Sequence, residues 1–99
     1  MTLEEFRASL GGGTPPAVAP ALVALWHDAK NDWEKAHETA QAIEDDTGAW
    51  VHAYLHRKEG DASNAAYWYR RAGRAIVRET ALDDEWAQIA EALLEISAG

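Results

Sequence analysis

No cysteine occurs in this 99-residue chain, which excludes disulfides, thiolate metal ligands and cysteine nucleophiles and fits a reducing compartment. Long apolar runs are missing too, since nothing approaches the roughly 18 consecutive apolar residues of a membrane-spanning helix. The opening segment MTLEEFRASL carries two acids and runs into glycines, so it lacks the basic and apolar regions of a secretory signal. These absences lead to the expectation of a cytoplasmic protein with no membrane partner. There is no serine elbow and no phosphate loop, because Gly11-Gly-Gly13 follows no strand pattern and lacks the lysine. The expectation is a protein that is not an enzyme and carries no cofactor. Phe and Met occur once each and β-branched residues are sparse, so strands are not expected.

What the chain does have is 47% hydrophobic and 26% charged residues, the balance of a chain that folds, with alanine carrying much of the apolar share. Its length allows one domain with a modest core. Five tryptophans, Trp26, Trp33, Trp50, Trp68 and Trp86, supply a large part of the apolar surface; all but Trp68 sit on apolar stripes and are expected to anchor helix packing. The formal charge of −8 argues against nucleic acid or anionic membranes as partners. It is unevenly spread: Arg57 to Arg78 holds six of the nine basic residues against Glu59 and Asp61 alone, a local +4.

Thr2 and Glu5 have capping-box spacing ahead of Phe6 and Leu10, which predicts a short helix over about residues 2 to 10 ended by Gly11. Gly11 to Pro16 is linker chemistry, so residues 1–19 read as a tethered arm and 20–99 as the folded domain. Pro20 suits the first turn of a second helix with Leu22, Leu25 and Trp26 on one face, reaching about Lys30. Asp32 caps a third helix carrying Trp33, Ala36, Ala40 and Ile43, and Glu44 to Gly48 reads as a turn. A fourth helix over about Ala49 to Glu59 ends at Gly60, and Asp61 caps a fifth. On that fifth helix Ala65, Tyr69, Ala72 and Ile76 share one stripe, and Tyr67, Arg70, Arg71, Arg74 and Arg78 share another. A last helix starts in the acids after Leu82 and carries Trp86, Ile89, Ala90, Leu93 and Leu94 on to Ile96 or Ser97.

Residues 24–43 lie over 53–72 without a gap at an offset of 29, with Ala24, His27, Asp32 and Ala36 matching Ala53, His56, Asp61 and Ala65. The second copy, with Gly60-Asp61 at the turn, Ala65 and then Tyr69 and Ala72, resembles a tetratricopeptide or Sel-like repeat. The first copy has Asn31 where that pattern has glycine. The run HAYLHRKEGD, followed by NA and YWYRRA, is also similar to a group of small bacterial proteins. The resemblance implies an all-α fold of stacked antiparallel helical hairpins with a closing C-terminal helix over the open end of the stack. It also implies protein or peptide binding on the concave face of the first helices, near Tyr54, Arg57 and Lys58.

Two constellations compete for function. The stripe of Tyr67, Arg70, Arg71 and Arg74 suits an acidic protein or peptide, since guanidinium forks hold carboxylates bidentately; its rival is pairing with the chain's own Glu79 and Asp83 to Glu85. His52 and His56 are four residues apart on one helix at chelating separation, with His27 as a conceivable third ligand. The rival there is structural histidines packed between helices, with His37 on a solvated face. The sequence therefore points first to a non-enzymatic protein-binding module with a basic face. The alternatives are a metal or small-ligand site on His52 and His56, or a homodimer formed through Leu3, Phe6 and Leu10 of the arm.

Overall fold

Capping chemistry sets where the helices begin. The computed structural model describes residues 1–98, and the described residues form six α-helices and no strand: α1 (Leu3–Ala8), α2 (Pro20–Ala29), α3 (Trp33–Gln41), α4 (Asp46–Lys58), α5 (Ala62–Arg71) and α6 (Leu82–Ala98). Thr2 and Glu5 close a reciprocal capping box on α1, at 2.8 and 3.1 Å. Asp32 and Asp61 accept from the backbone N–H of Lys35 and Asn64 at the starts of α3 and α5. Asp45 accepts from Thr47 and Gly48, so α4 begins three residues earlier than the expected Ala49. Gly48 is required there, because a Cβ would stand 2.5 Å from Cβ of Ile43 as that side chain folds over the helix start.

The turns closing α2 and α4 are built alike. Asn31 (φ 64°) and Gly60 (φ 90°) take the left-handed conformation. The next residue then donates back across the helix end, Asp32 to the His27 carbonyl at 3.0 Å and Asp61 to the His56 carbonyl at 2.9 Å. The same device recurs at Gly73 (φ 71°), where Arg74 donates to the Tyr69 carbonyl at 2.9 Å. The expected run of the fifth helix to Ile76 and Arg78 is corrected by it: α5 stops at Arg71, and an irregular segment leads to α6.

Helices α2 with α3 and α4 with α5 form the two hairpins, packed through α2, α3 and α4. The last helix lies on α2 and α4, the first helices of both hairpins, and α1 lies on α6. It thus covers the face expected to receive a peptide instead of the open end at α5. Trp86 of α6 donates to the Leu25 carbonyl at 3.0 Å, and Ile89, Ala90 and Leu93 join Leu22, Leu25, Val51 and Leu55 in the core. The side chain of Ser97, on the expected stripe, and the whole of Gly99, the end of the expected domain, lie outside what the structure describes. Among the described residues no helix is long and apolar enough to cross a membrane.

The tethered arm is a second correction. Phe6 is fully buried, stacks on Trp86 with ring centroids 5.7 Å apart, and belongs to the same core as α2 and α6. Leu3 and Leu10 pack against that core, so the apolar face expected to seek a second copy is satisfied within the chain. Ser9 and Lys30 hold the arm down, the hydroxyl accepting from the Trp26 indole and the ammonium reaching the Leu10 carbonyl at 2.6 Å. We therefore expect Phe6→Ala to lower unfolding stability by about 3–5 kcal/mol in urea denaturation, with a single transition. A tethered arm would leave the midpoint unchanged.

Candidate functional site

Three of the residues expected at a peptide-binding face are committed to the protein's own buried acids. Asp28 and Glu85 are each 2% exposed, and a buried carboxylate is tolerated only when paired and hydrogen-bonded. Asp28 accepts from the Tyr54 hydroxyl at 3.0 Å and pairs with Lys58 at 2.9 Å. Glu85 pairs with Arg57 at 2.7 Å and accepts from the Tyr69 hydroxyl, while Arg57 also donates to the Thr80 carbonyl. Burial, with these acids beside them, raises both tyrosine pKa values above the usual phenol range. Tyr54 is buried, so the expected partner surface of Tyr54, Arg57 and Lys58 is corrected: these groups hold the hairpins to each other and to α6.

The arginine stripe has a different fate. Tyr67, Arg70, Arg71 and Arg74 are exposed, and among the described residues none of Arg70, Arg71, Arg74 and Arg78 is ion-paired. The expected rival, pairing with Glu79 and with Asp83 to Glu85, is absent among the described residues, and Glu85 is taken by Arg57. Arg74 instead lies over the Trp50 ring at 3.7 Å and Arg71 over the Trp68 ring at 5.6 Å. Because α5 ends at Arg71, Arg74 reaches this face from the loop and not from the helix.

The histidines converge where helix spacing alone placed only two of them. His52 and His56 lie one turn apart on α4, and the third is His37 of α3. One ring nitrogen of each falls within 4.8 Å of the others. His27, expected as the third member, is instead on α2, edge-on to Trp26. His37, expected on a solvated face, is half-buried and in contact with His52, Nε2 to Nε2 at 2.9 Å. The residue that betrays it is Trp33, four positions earlier and hence on the same helix face. The two rings stack at 4.9 Å, and the Trp33 indole is fixed by donating to the Leu55 carbonyl at 2.9 Å. On the opposite side Trp68 stacks on His52 at 4.0 Å. His56 Nδ1 meets Glu59 Oε2 at 2.6 Å, which leaves Nε2 of His56 to face its neighbours. Asp61, near His56 and Glu59, is engaged as the cap of α5.

This environment favours the neutral ring at His52 and at His37. Burial, reinforced by the neighbouring His37 and His56, pushes the His52 pKa down to about 4. Burial also lowers that of His37, with His56 adding to the effect and Glu59 and Glu38 opposing it. The Nε2 to Nε2 contact requires one ring to carry its proton on Nε2 and the other on Nδ1. No protein-family model matches the chain, and no curated protein and no solved structure matches it.

Two outcomes test this description. Removing one partner of a buried ion pair strands the other, so Arg57→Met should cost about 3 kcal/mol in chemical denaturation. In metal-free protein the unfolded chain protonates His52 near its ordinary 6.5 while the folded chain resists down to about 4. Stability should accordingly be full above that upper value and fall as pH drops toward the lower one, and His52→Gln should flatten the dependence.

Proposed function

We propose that the protein binds one divalent first-row transition-metal ion through His37, His52 and His56. The observation that carries this reading is the meeting of three ring nitrogens from two helices within 4.8 Å of one another. In a tetrahedral zinc site with bonds of about 2.0–2.1 Å, ligand nitrogens stand about 3.3 Å apart. The 2.9 Å contact of His37 with His52 therefore opens by only a few tenths of an ångström, a side-chain adjustment that leaves both helices in place. Trp33 and Trp68 limit ring rotation, and Glu59 holds His56 Nδ1 as a carboxylate behind a ligating imidazole does. An all-imidazole set suits zinc, copper or nickel and disfavours calcium or magnesium, which take oxygen ligands. Three protein ligands leave one tetrahedral position for water or a small ligand. Since His52 is neutral well below neutrality, binding at pH 7 needs no deprotonation of that ring.

Titration of chelator-treated protein with zinc or nickel, followed by native mass spectrometry, tests this. The expected result is one ion per chain, lost in His37→Ala and in His52→Ala and retained in His27→Ala. Glu59→Gln should weaken it about 10–100-fold, the usual effect of removing a carboxylate behind a metal-bound histidine. A protein that takes up no ion, or takes it up equally without His37 and His52, overturns the reading.

A second reading, an acidic peptide docking on Tyr67, Arg70, Arg71 and Arg74, is supported by the free guanidiniums stacked on Trp50 and Trp68. It separates from the first by salt and charge reversal. Binding of a glutamate-rich peptide should weaken steeply with salt and vanish in an Arg70→Glu, Arg74→Glu double variant, which keeps its metal.

A further inference from the structure

We infer that the cleft between the start of α5 and the segment leading into α6 is a binding site for a small amphipathic monocarboxylate. The cleft holds about 350 Å³, at the small end of the ligand-pocket range of about 300–1,000 Å³. Its walls are apolar: Ala62 and Ala65 come from α5, Ile76 and Val77 from the irregular segment, and Leu82 from the start of α6. They extend the satellite core in which Ala53, Ala65 and Tyr69 pack with Ile76 and Val77 around them. The residues that line the cleft include Arg57 and Arg78 and no acid.

The two arginines are not equivalent, and the difference sets the charge of the ligand. Arg57 is neutralised by Glu85 and anchored by Thr80, so it offers only its unused N–H donors, held rigidly at the cleft. Arg78 is exposed and, among the described residues, has no ion pair. One uncompensated guanidinium beside a hydrophobic wall matches one carboxylate on an apolar body, the guanidinium taking the carboxylate oxygens as a fork. A phosphate or a dicarboxylate would leave charge unpaired against Ile76, Val77 and Leu82, which is costly in an apolar site. The site is separate from the histidine cluster and does not depend on it, since none of His37, His52 and His56 lines the cleft.

The full chain, treated with chelator, is titrated with 4-methylpentanoate and 3-phenylpropanoate and, as neutral controls, with their amides, and backbone amide shifts are read by NMR. The expected result is saturable shifts at Gly60, Ala62, Val77 and Arg78 for the acids. The amides should bind about tenfold more weakly or worse, as loss of one charge-assisted pair predicts. Arg78→Gln should weaken acid binding by about the same factor. Ala62→Glu should abolish it by filling the cleft with like charge, and both substitutions fall at exposed positions, where Glu also suits the first turn of α5. Absence of saturable shifts at these residues, an equal response to the amides, or undiminished binding in both variants overturns the inference.

Discussion

The fold depends on two buried carboxylates. Asp28 on α2 and Glu85 on α6 are each clamped by a tyrosine hydroxyl and a cation, with Tyr54, Arg57 and Lys58 on α4 and Tyr69 on α5. Each clamp joins elements far apart in sequence, α2 to α4 in one case and α4 and α5 to α6 in the other. An unpaired charge at either place would cost several kcal/mol, so the clamps exclude packings in which the acids and their partners do not meet. Hydrophobic contact among alanines and leucines is tolerant of small shifts, and the clamps supply the register that such a core specifies weakly. The contribution to net stability is modest; the larger effect is on which arrangement forms.

The same clamps explain where the reading of the sequence succeeds and where it fails. Local signals carried the helix starts and turns: the Thr2 to Glu5 box, Asp32, Asp61 and Gly60 act as their spacing implies, because capping involves only a few neighbouring residues. Gly73 carried the same signal as Gly60 and marks the end of α5, but the regular spacing of Ile76 and Arg78 masks it. Tertiary choices were not legible. A basic run on an otherwise acidic chain looks like a docking face until Glu85 and Asp28 are known to be buried against it, and one dimension does not say which acids go inside. The glycine and proline run likewise looks like a tether, and only the fit of Phe6 on Trp86 shows that the arm is folded back into the core.

The histidine cluster shows the same limit in finer detail. His52 and His56 were visible as a pair because both lie on one helix, where geometry follows from spacing. The third partner had to come from another helix. The offset of 29 nominates His27, which matches His56 in the repeat, yet His27 lies on α2 against Trp26 and outside the cluster. The residue that faces α4 across the hairpin boundary is on α3, and there Trp33 sets the ring plane of His37. What joins the cluster is therefore packing between α3 and α4, to which the capped start of α4 and the close approach at Gly48 both contribute.

That origin has a consequence for how an ion would act on the protein. The ligands belong to the second helix of one hairpin and the first helix of the next, so occupancy would add a further tie between two hairpins already joined by apolar contact, the Trp33 indole and the Asp28 clamp. Without an ion, one nitrogen of each ring has a partner through the His37 to His52 and His56 to Glu59 contacts, and among the described residues no fully buried side-chain nitrogen or oxygen lacks one. In the metal-free form burial, with His37 and His56 beside it, keeps His52 neutral and able to share a proton with its neighbour. An ion held there would replace the His37 to His52 hydrogen bond, the donating ring then carrying its proton on Nδ1, and would leave the two buried clamps undisturbed, since neither Asp28 nor Glu85 touches the imidazoles through any hydrogen bond. Fold and candidate site are in this sense built on separate polar networks: one fixes the hairpins to each other and to α6, and the other joins the histidines of α3 and α4.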